Sequence, residues 1–147
     1  MMGKGLLSIV MIVFMAVGCS QTKNLSGNQE NSCAPLKLLS GSPDSLRVDY
    51  CQIDSVYIDG DCLVISLTYG GGCGETEFKL FRTQSVLESF PPQTSLLYSF
   101  VDNDPCRALE TKTLRFDLTP FGEYARNGGI WLNLADNIRQ QRVFYKH

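Results

Sequence analysis

Closely spaced carboxylates are the residues whose type and spacing most suggest chemistry. They form three pairs: Asp59 and Asp61, Glu75 and Glu77, and Asp102 and Asp104. Clustered carboxylates bind Ca²⁺ through their oxygens, and a suitably separated pair performs the acid and base steps of glycoside hydrolysis. The spacing does not match an EF-hand loop, and acidic residues beside glycine or proline most often cap turns. We therefore predict a solvated, turn-capping role, with no metal site and no catalytic residue.

The scarcity of histidine disfavours most nucleophilic enzymes. His147 is the only histidine and the last of the 147 residues. A Ser or Cys nucleophile normally needs a histidine base, which is absent here unless the end of the chain folds back. The formal net charge of −2 provides no basic field for nucleic acid. No cofactor is indicated.

An aromatic pair near the end of the sequence is the best candidate binding site. Trp131 and Asn133 alternate with three aliphatic residues, Ile130, Leu132 and Leu134. The aliphatic face should turn towards the core, so Trp131 should point outwards. A hairpin around 135–140 places Phe144 opposite Trp131, with Asn133 and Arg142 beside them. An outward aromatic pair flanked by amide and guanidinium groups is typical of a surface that holds a sugar or a peptide. We predict ligand contacts at Trp131, Asn133, Arg142 and Phe144, with Trp131 partly exposed.

A glycine-rich stretch, Tyr69-Gly70-Gly71-Gly72-Cys73-Gly74, is the most unusual local sequence. Such a stretch can present backbone N–H groups to an anion. No Gly-Lys-Ser/Thr follows it, so it is not a P-loop. We predict a strand end where a positive φ or a close backbone approach requires glycine.

Alternation of apolar and polar residues predicts an all-β fold. The alternation is clear at residues 63–69, 114–118 and 130–134, and Asp59-Gly60-Asp61 is a hairpin turn signal. We predict a single antiparallel β-sandwich of about seven or eight strands, with a small barrel as the alternative. Only Phe121 to Arg126 favours a helical turn.

The N-terminal 18 residues have the pattern of a sorting signal. Lys4 precedes an apolar run from Leu6 to Val17, which is shorter than the twenty or so residues that span a bilayer. Ala16-Val17-Gly18-Cys19 resembles the lipobox of bacterial lipoproteins. That resemblance implies cleavage before Cys19 and acylation of Cys19, so that its acyl chains contact the membrane. Ser20, in place of aspartate, favours an outer-membrane anchor that faces the periplasm, with surface display as the alternative.

The composition after Cys19 divides the mature chain into a tether and a domain. Residues 19–45 hold the lipidated cysteine and a stretch rich in Ser, Asn, Gln and Gly, which predicts a flexible tether. Within it, Ala34 to Leu39 is more apolar and is expected to dock on the domain edge. We place the β-sandwich domain at 46–147.

Five cysteines remain after lipidation of Cys19, so at least one cannot pair within the chain. An exported chain permits disulfides, but the sequence leaves their connectivity open. We favour a bond between Cys73 and Cys106, because both stand in turn-like sequences. Cys62 is expected to be a buried thiol in a strand.

Two segments carry a family resemblance, Tyr69 to Glu75 and Asp102 to Cys106. With the later run Leu114 to Leu118, they resemble the C-terminal β-sandwich of NigD-like lipoproteins of the Bacteroidetes group. The likeness covers about residues 60–120 and implies a sandwich and a membrane anchor. It implies no catalytic residue and no ligand.

These features favour a lipid-anchored, non-enzymatic β-sandwich in the cell envelope that binds a protein or a glycan. Two alternatives remain. The acidic turns would suit a carboxylate-based envelope hydrolase, and rigid loops near Cys73 and Cys106 would suit a hydrolase inhibitor.

Overall fold

A computed structural model of the chain describes residues 32–135 and 140–147. The expected signal segment and Cys19 lie outside the described residues. The strands are β1 (Ala34–Pro35), β2 (Lys37–Leu38), β3 (Gln52–Asp59), β4 (Cys62–Gly71), β5 (Thr76–Leu87), β6 (Gln93–Asp102), β7 (Ala108–Asp117), β8 (Ile130–Ala135) and β9 (Gln140–Tyr145). The α-helix, α1 (Gly122–Arg126), lies where the single helical turn was predicted. No helix in these two ranges is long and apolar enough to cross a membrane.

The strands form two sheets, which confirms the predicted all-β sandwich. One sheet has the order β1-β7-β4-β3 and the other has the order β2-β5-β6-β8-β9. The sheets are mixed rather than antiparallel throughout, because β1–β7, β2–β5 and β6–β8 are parallel pairs. The β6–β8 pair is parallel because the chain leaves β6, runs back along β7 in the other sheet and returns through α1.

The core lies between the two sheets and is built by alternate residues of the strands. On β4, Leu63, Ile65 and Leu67 are fully buried, and they pair with β7 and β3 on either side. The facing sheet contributes aliphatic and aromatic side chains: Leu80, Leu96, Tyr98, Phe100, Ile130, Leu132, Leu134 and Tyr145. Burying such side chains stabilises the fold by about 1.5–3 kcal/mol each relative to exposure.

The β3–β4 hairpin forms where the turn signal predicted it. Asp59 pairs with Cys62, which leaves Gly60 and Asp61 as a two-residue loop. Gly60 has a φ of 60°, a value that a two-residue hairpin loop requires and that glycine adopts without strain.

The segment that begins at Cys33 belongs to the fold, although the sequence placed the domain start at Leu46. β1 pairs with β7 in one sheet, and β2 pairs with β5 in the other. Between them, Leu36 packs against the core, which accounts for the apolar composition noted in this part of the expected tether. Further along, the Val48 bridge to Phe100 adds a second backbone contact with the five-stranded sheet.

A disulfide fixes the start of this segment. Cys33 is bonded to Cys62 at the beginning of β4, with their Cα atoms 5.9 Å apart. The expectation that Cys62 is a buried thiol is therefore wrong. Its strand position predicted burial, but the pairing of β1 with β7 brings Cys33 beside it. Cys51 is the buried cysteine of the core.

We predict that replacing Cys33 and Cys62 together by alanine lowers the free energy of unfolding by about 3–4 kcal/mol, as the loop-closure relation gives for this spacing. The bond closes a loop with a sequence separation of 29. Urea unfolding measures the loss, and hydrogen exchange should show reduced protection at β1 and β2. In a control variant that lacks Cys73 and Cys106, protection at β1 and β2 should persist. Unchanged stability and unchanged exchange in the first variant would contradict the prediction.

Candidate functional site

The aromatic pair predicted near the end of the chain forms on the outer face of the five-stranded sheet. Trp131 is the cross-strand partner of Phe144 in the β8–β9 hairpin, and their ring centroids are 4.8 Å apart at 48°. Asn133 is paired with Arg142 two positions along. The four predicted ligand contacts therefore share one surface, which we call the aromatic face. Their role in binding stays a prediction.

The core determines which way the aromatic face points. Ile130, Leu132 and Leu134 lie between the sheets, and each is at most 1% exposed. Successive residues of a strand point to opposite faces, so Trp131 and Asn133 point away from this core. Trp131 is partly buried and Phe144 is exposed. The aromatic pair therefore lies outside the main core and is accessible from solvent.

Neighbouring groups hold the aromatic face in place. The Arg142 guanidinium carbon lies 4.1 Å from the centroid of the Trp131 ring, which is a cation–π arrangement. The Asn133 amide donates to the Thr94 carbonyl oxygen at 3.3 Å. Gly129, with a φ of 99°, lies under the Phe144 ring, and a side chain at this position would overlap that ring.

The glycine-rich stretch wraps around a carboxylate of the same chain. The Asp104 Oδ2 atom accepts from the backbone N–H of Gly72 at 2.7 Å and of Cys73 at 3.1 Å, and Oδ1 accepts from that of Cys106 at 2.9 Å. A Cβ atom at Gly74 would lie 2.7 Å from the Asp104 Cα atom, so glycine is required by close approach. The N–H groups that the glycine-rich stretch offers to an anion are thus already used by Asp104.

The expected partners Cys73 and Cys106 are disulfide-bonded beside Asp104, with their Cα atoms 5.8 Å apart. The two sulfur atoms and the Asp104 carboxylate lie within 4.8 Å of one another, a spacing that could suit a metal ion. Sulfur binds metals as thiolate, and a disulfide supplies none. This group therefore pins the loop and offers no thiolate ligands while the bond is intact.

Asp104 is stabilised in its ionised form. Desolvation acts to raise its pKa, but the backbone N–H groups of the glycine-rich loop and of Cys106 outweigh it and hold the pKa of Asp104 below the ordinary value of 3.8. Asp49 is similar, because the backbone N–H of Asp102 and the Arg47 side chain lower its pKa. These carboxylates act as caps for backbone groups.

The acidic turns lie at opposite ends of the sandwich. Asp59 and Asp61 precede β4, whereas the Asp104 loop contacts the glycines that follow it. The ten residues of β4 span about 33 Å. A glycosidase pair is separated by only about 5–9.5 Å. Asp59 and Asp61 therefore cannot act as a pair with Asp102 and Asp104, and Asp59 is engaged with Arg115 at 2.8 Å.

A contact that the sequence did not predict joins the end of the chain to the β3–β4 turn. The Tyr145 hydroxyl donates to Asp61 Oδ1 at 2.6 Å, and His147 Nε2 lies 3.1 Å from that hydroxyl. Burial, with the nearby Asp61 carboxylate, raises the pKa of Tyr145 well above its ordinary value. The phenol therefore stays protonated as a donor. Only the alternation at Val143 and Tyr145 hinted that this tyrosine points inwards.

Comparisons show what this architecture resembles. No family model matches the chain, and no curated protein matches it. Among solved structures, a NigD-like immunity protein from Bacteroides caccae is similar, with a TM-score of 0.55 and 15% identity over 76% of this chain and 58% of that one.

Two further structures are comparable. A protein of unknown function from Bacteroides vulgatus has a TM-score of 0.51 and 14% identity over 78% of this chain and 57% of that one. A putative toxin related protein from Parabacteroides distasonis has a TM-score of 0.50 and 15% identity, over 78% of this chain and 61% of that one. At such identities the likeness shows the fold alone. It supports the distant NigD-like resemblance, and this chain spans about three fifths of each of the three proteins.

We predict that Asp104→Asn lowers stability at neutral pH and flattens its dependence on acid. The folded-state pKa of Asp104 lies below the ordinary 3.8. Its charge therefore contributes stability above that value, and the contribution is lost as the pH falls through the lowered pKa. Urea midpoints measured from neutral pH down to pH 2 test this, with Glu88→Gln as an exposed control. Parallel profiles for Asp104→Asn and the wild type would contradict it.

Proposed function

We propose that this protein is a lipid-anchored, non-enzymatic envelope protein that binds a partner protein through the aromatic face of its five-stranded sheet. The observation that carries the proposal is the outward cluster of Trp131, Phe144 and Arg142. Tryptophan and arginine are the residue types most enriched among those that dominate binding energies at protein interfaces.

The chemistry of the cluster favours a protein over a glycan. Sugars bind tryptophan by lying flat on an open ring, but here Arg142 lies over the Trp131 ring. The guanidinium retains donors in its plane that suit a carboxylate of a partner. Phe144 and Trp131 add a preordered apolar surface, so little side-chain entropy is lost on binding. The expected partner presents an apolar side chain next to an acidic one.

The anchor part of the proposal rests on the sequence around Cys19. The lipobox-like Ala16-Val17-Gly18-Cys19 supports acylation, and Ser20 supports an outer-membrane position facing the periplasm, with the cell surface as the alternative. The protein from Bacteroides caccae with this fold is described as an immunity protein. An immunity role would be one form of the partner binding proposed here.

We predict that Trp131→Ala weakens partner binding by about 30-fold or more while leaving the fold nearly unchanged, since a central interface residue contributes about 2 kcal/mol or more. A photo-crosslinker in the full-length protein at Ser95, an exposed residue that pairs with Asn133 beside the aromatic face, would first identify the partner in cells. Binding of that partner to purified variants is then measured. Tyr57→Ala, an exposed aromatic on the other sheet, is the matched control.

The outcomes separate the possible roles of the aromatic face. Loss of binding with Trp131→Ala but not with Tyr57→Ala supports the proposal. Equal binding by both variants, or binding of glycans alone on an array, overturns it. A large fall in the melting temperature of Trp131→Ala would show that the residue is structural instead.

A further inference from the structure

The β5–β6 loop carries the most exposed apolar side chain among the described residues. Phe90 is 101% exposed and Leu87, at the end of β5, is 62% exposed. Two prolines follow, Pro91 and Pro92. A phenylalanine ring held in water gains free energy when it moves into an apolar environment, so this exposed side chain is suited to contact one.

The loop is held in a defined shape. The Ser89 hydroxyl donates to the Pro91 carbonyl oxygen at 2.7 Å, and the Ser89 backbone N–H donates to Leu87 at 2.9 Å. The Gln93 side chain donates to the Ser89 hydroxyl at 3.1 Å. Phe90 is therefore presented by a hydrogen-bonded turn, and we call Leu87 and Phe90 the apolar tip.

The apolar tip lies at the end of the sandwich where the N-terminal segment enters. Leu87 pairs with Gln93, and Gln93 pairs with Trp131 at the start of β8. The preceding residue, Ile130, pairs with Tyr145, which donates to Asp61 beside Cys62. The partner of Cys62 is Cys33, the first described cysteine of the chain. The same end therefore carries both the apolar tip and the disulfide nearest to Cys19.

We propose that the apolar tip inserts into the bilayer to which Cys19 is anchored. This inference rests on the anchoring part of the proposed function. The thirteen residues 20–32 reach at most about 45 Å when fully extended. The chain from Cys19 enters the domain at Cys33, so the end that holds Cys33 is the one that the anchor ties to the lipid. Insertion of Phe90 and Leu87 would fix the orientation of the domain on the membrane.

The charges at this end indicate that insertion is apolar rather than electrostatic. Acidic residues outnumber basic ones there: Asp59, Asp61, Glu88, Asp117 and Glu123 against Arg115, Arg126, Lys146 and His147. Anionic lipids attract basic segments and would not attract this surface. The contact should therefore form on zwitterionic lipid and be insensitive to salt.

The test places a fluorescent reporter at the apolar tip of the full-length, acylated protein. Trp131→Phe removes the only tryptophan, and Phe90→Trp then reports on the loop. Vesicles of phosphatidylcholine with brominated acyl chains quench tryptophan only within the hydrocarbon. Leu109→Trp in the same background is the matched control, because Leu109 is 82% exposed and pairs with Gly70 at the opposite end.

We expect a loss of fluorescence and a blue shift for the Phe90→Trp variant, unchanged in high salt, and neither change for the Leu109→Trp variant. Quenching of neither reporter or of both, with the protein still attached to the vesicles, overturns the insertion. If the Phe90→Ser variant loses partner binding and the Phe90→Trp reporter shows no quenching, the apolar tip contacts a protein. That outcome also overturns the insertion. Absence of acyl chains on Cys19, measured by mass spectrometry, would instead overturn the anchoring on which the inference rests.

Discussion

The apolar layer between the two sheets is the constraint on which the other features depend. On β8, Ile130, Leu132 and Leu134 must face that layer, and the two-residue period of a strand then turns Trp131 outwards. A slip of one residue would bury Trp131 and expose three aliphatic side chains. The same layer requires β4 to lie centrally in its sheet, between β3 and β7. The position of the aromatic face is thus a consequence of core burial.

Most residue types that suggest chemistry serve the architecture. Asp104 closes the glycine-rich loop, Asp49 accepts from the backbone N–H of Asp102, and Asp61 accepts from Tyr145. Each carboxylate satisfies donors that would otherwise be left unpaired at an end of the sandwich. The carboxylates of the loops therefore already accept hydrogen bonds from the same chain. The side chains on the outer face of the five-stranded sheet, in contrast, are not needed to complete the core.

The sequence predicted those parts of the fold that depend on local sequence patterns. Alternation and a turn of known length were sufficient for the β3–β4 hairpin and for the pairing of Trp131 with Phe144, because both strands of each pair are adjacent in the chain. Apart from the Cys73–Cys106 bond and the docking of residues 34–39 on the domain edge, it did not predict contacts between distant segments. The short strands β1 and β2, the parallel β6–β8 pair and the Cys33–Cys62 bond depend on which sheet the chain reaches after a long crossover, and residue types do not encode that.

The Cys33–Cys62 disulfide has a mechanical consequence under the proposed anchoring. If the domain is pulled away from the membrane, the tension runs from Cys19 through residues 20–32 to Cys33. The covalent bridge passes this tension directly to Cys62 at the start of β4, a strand that is hydrogen-bonded on both sides. Residues 34–61 lie inside the closed loop, so the covalent path of the tension bypasses their backbone. The two-residue strands β1 and β2, which would peel off first under force, are thereby shielded from it.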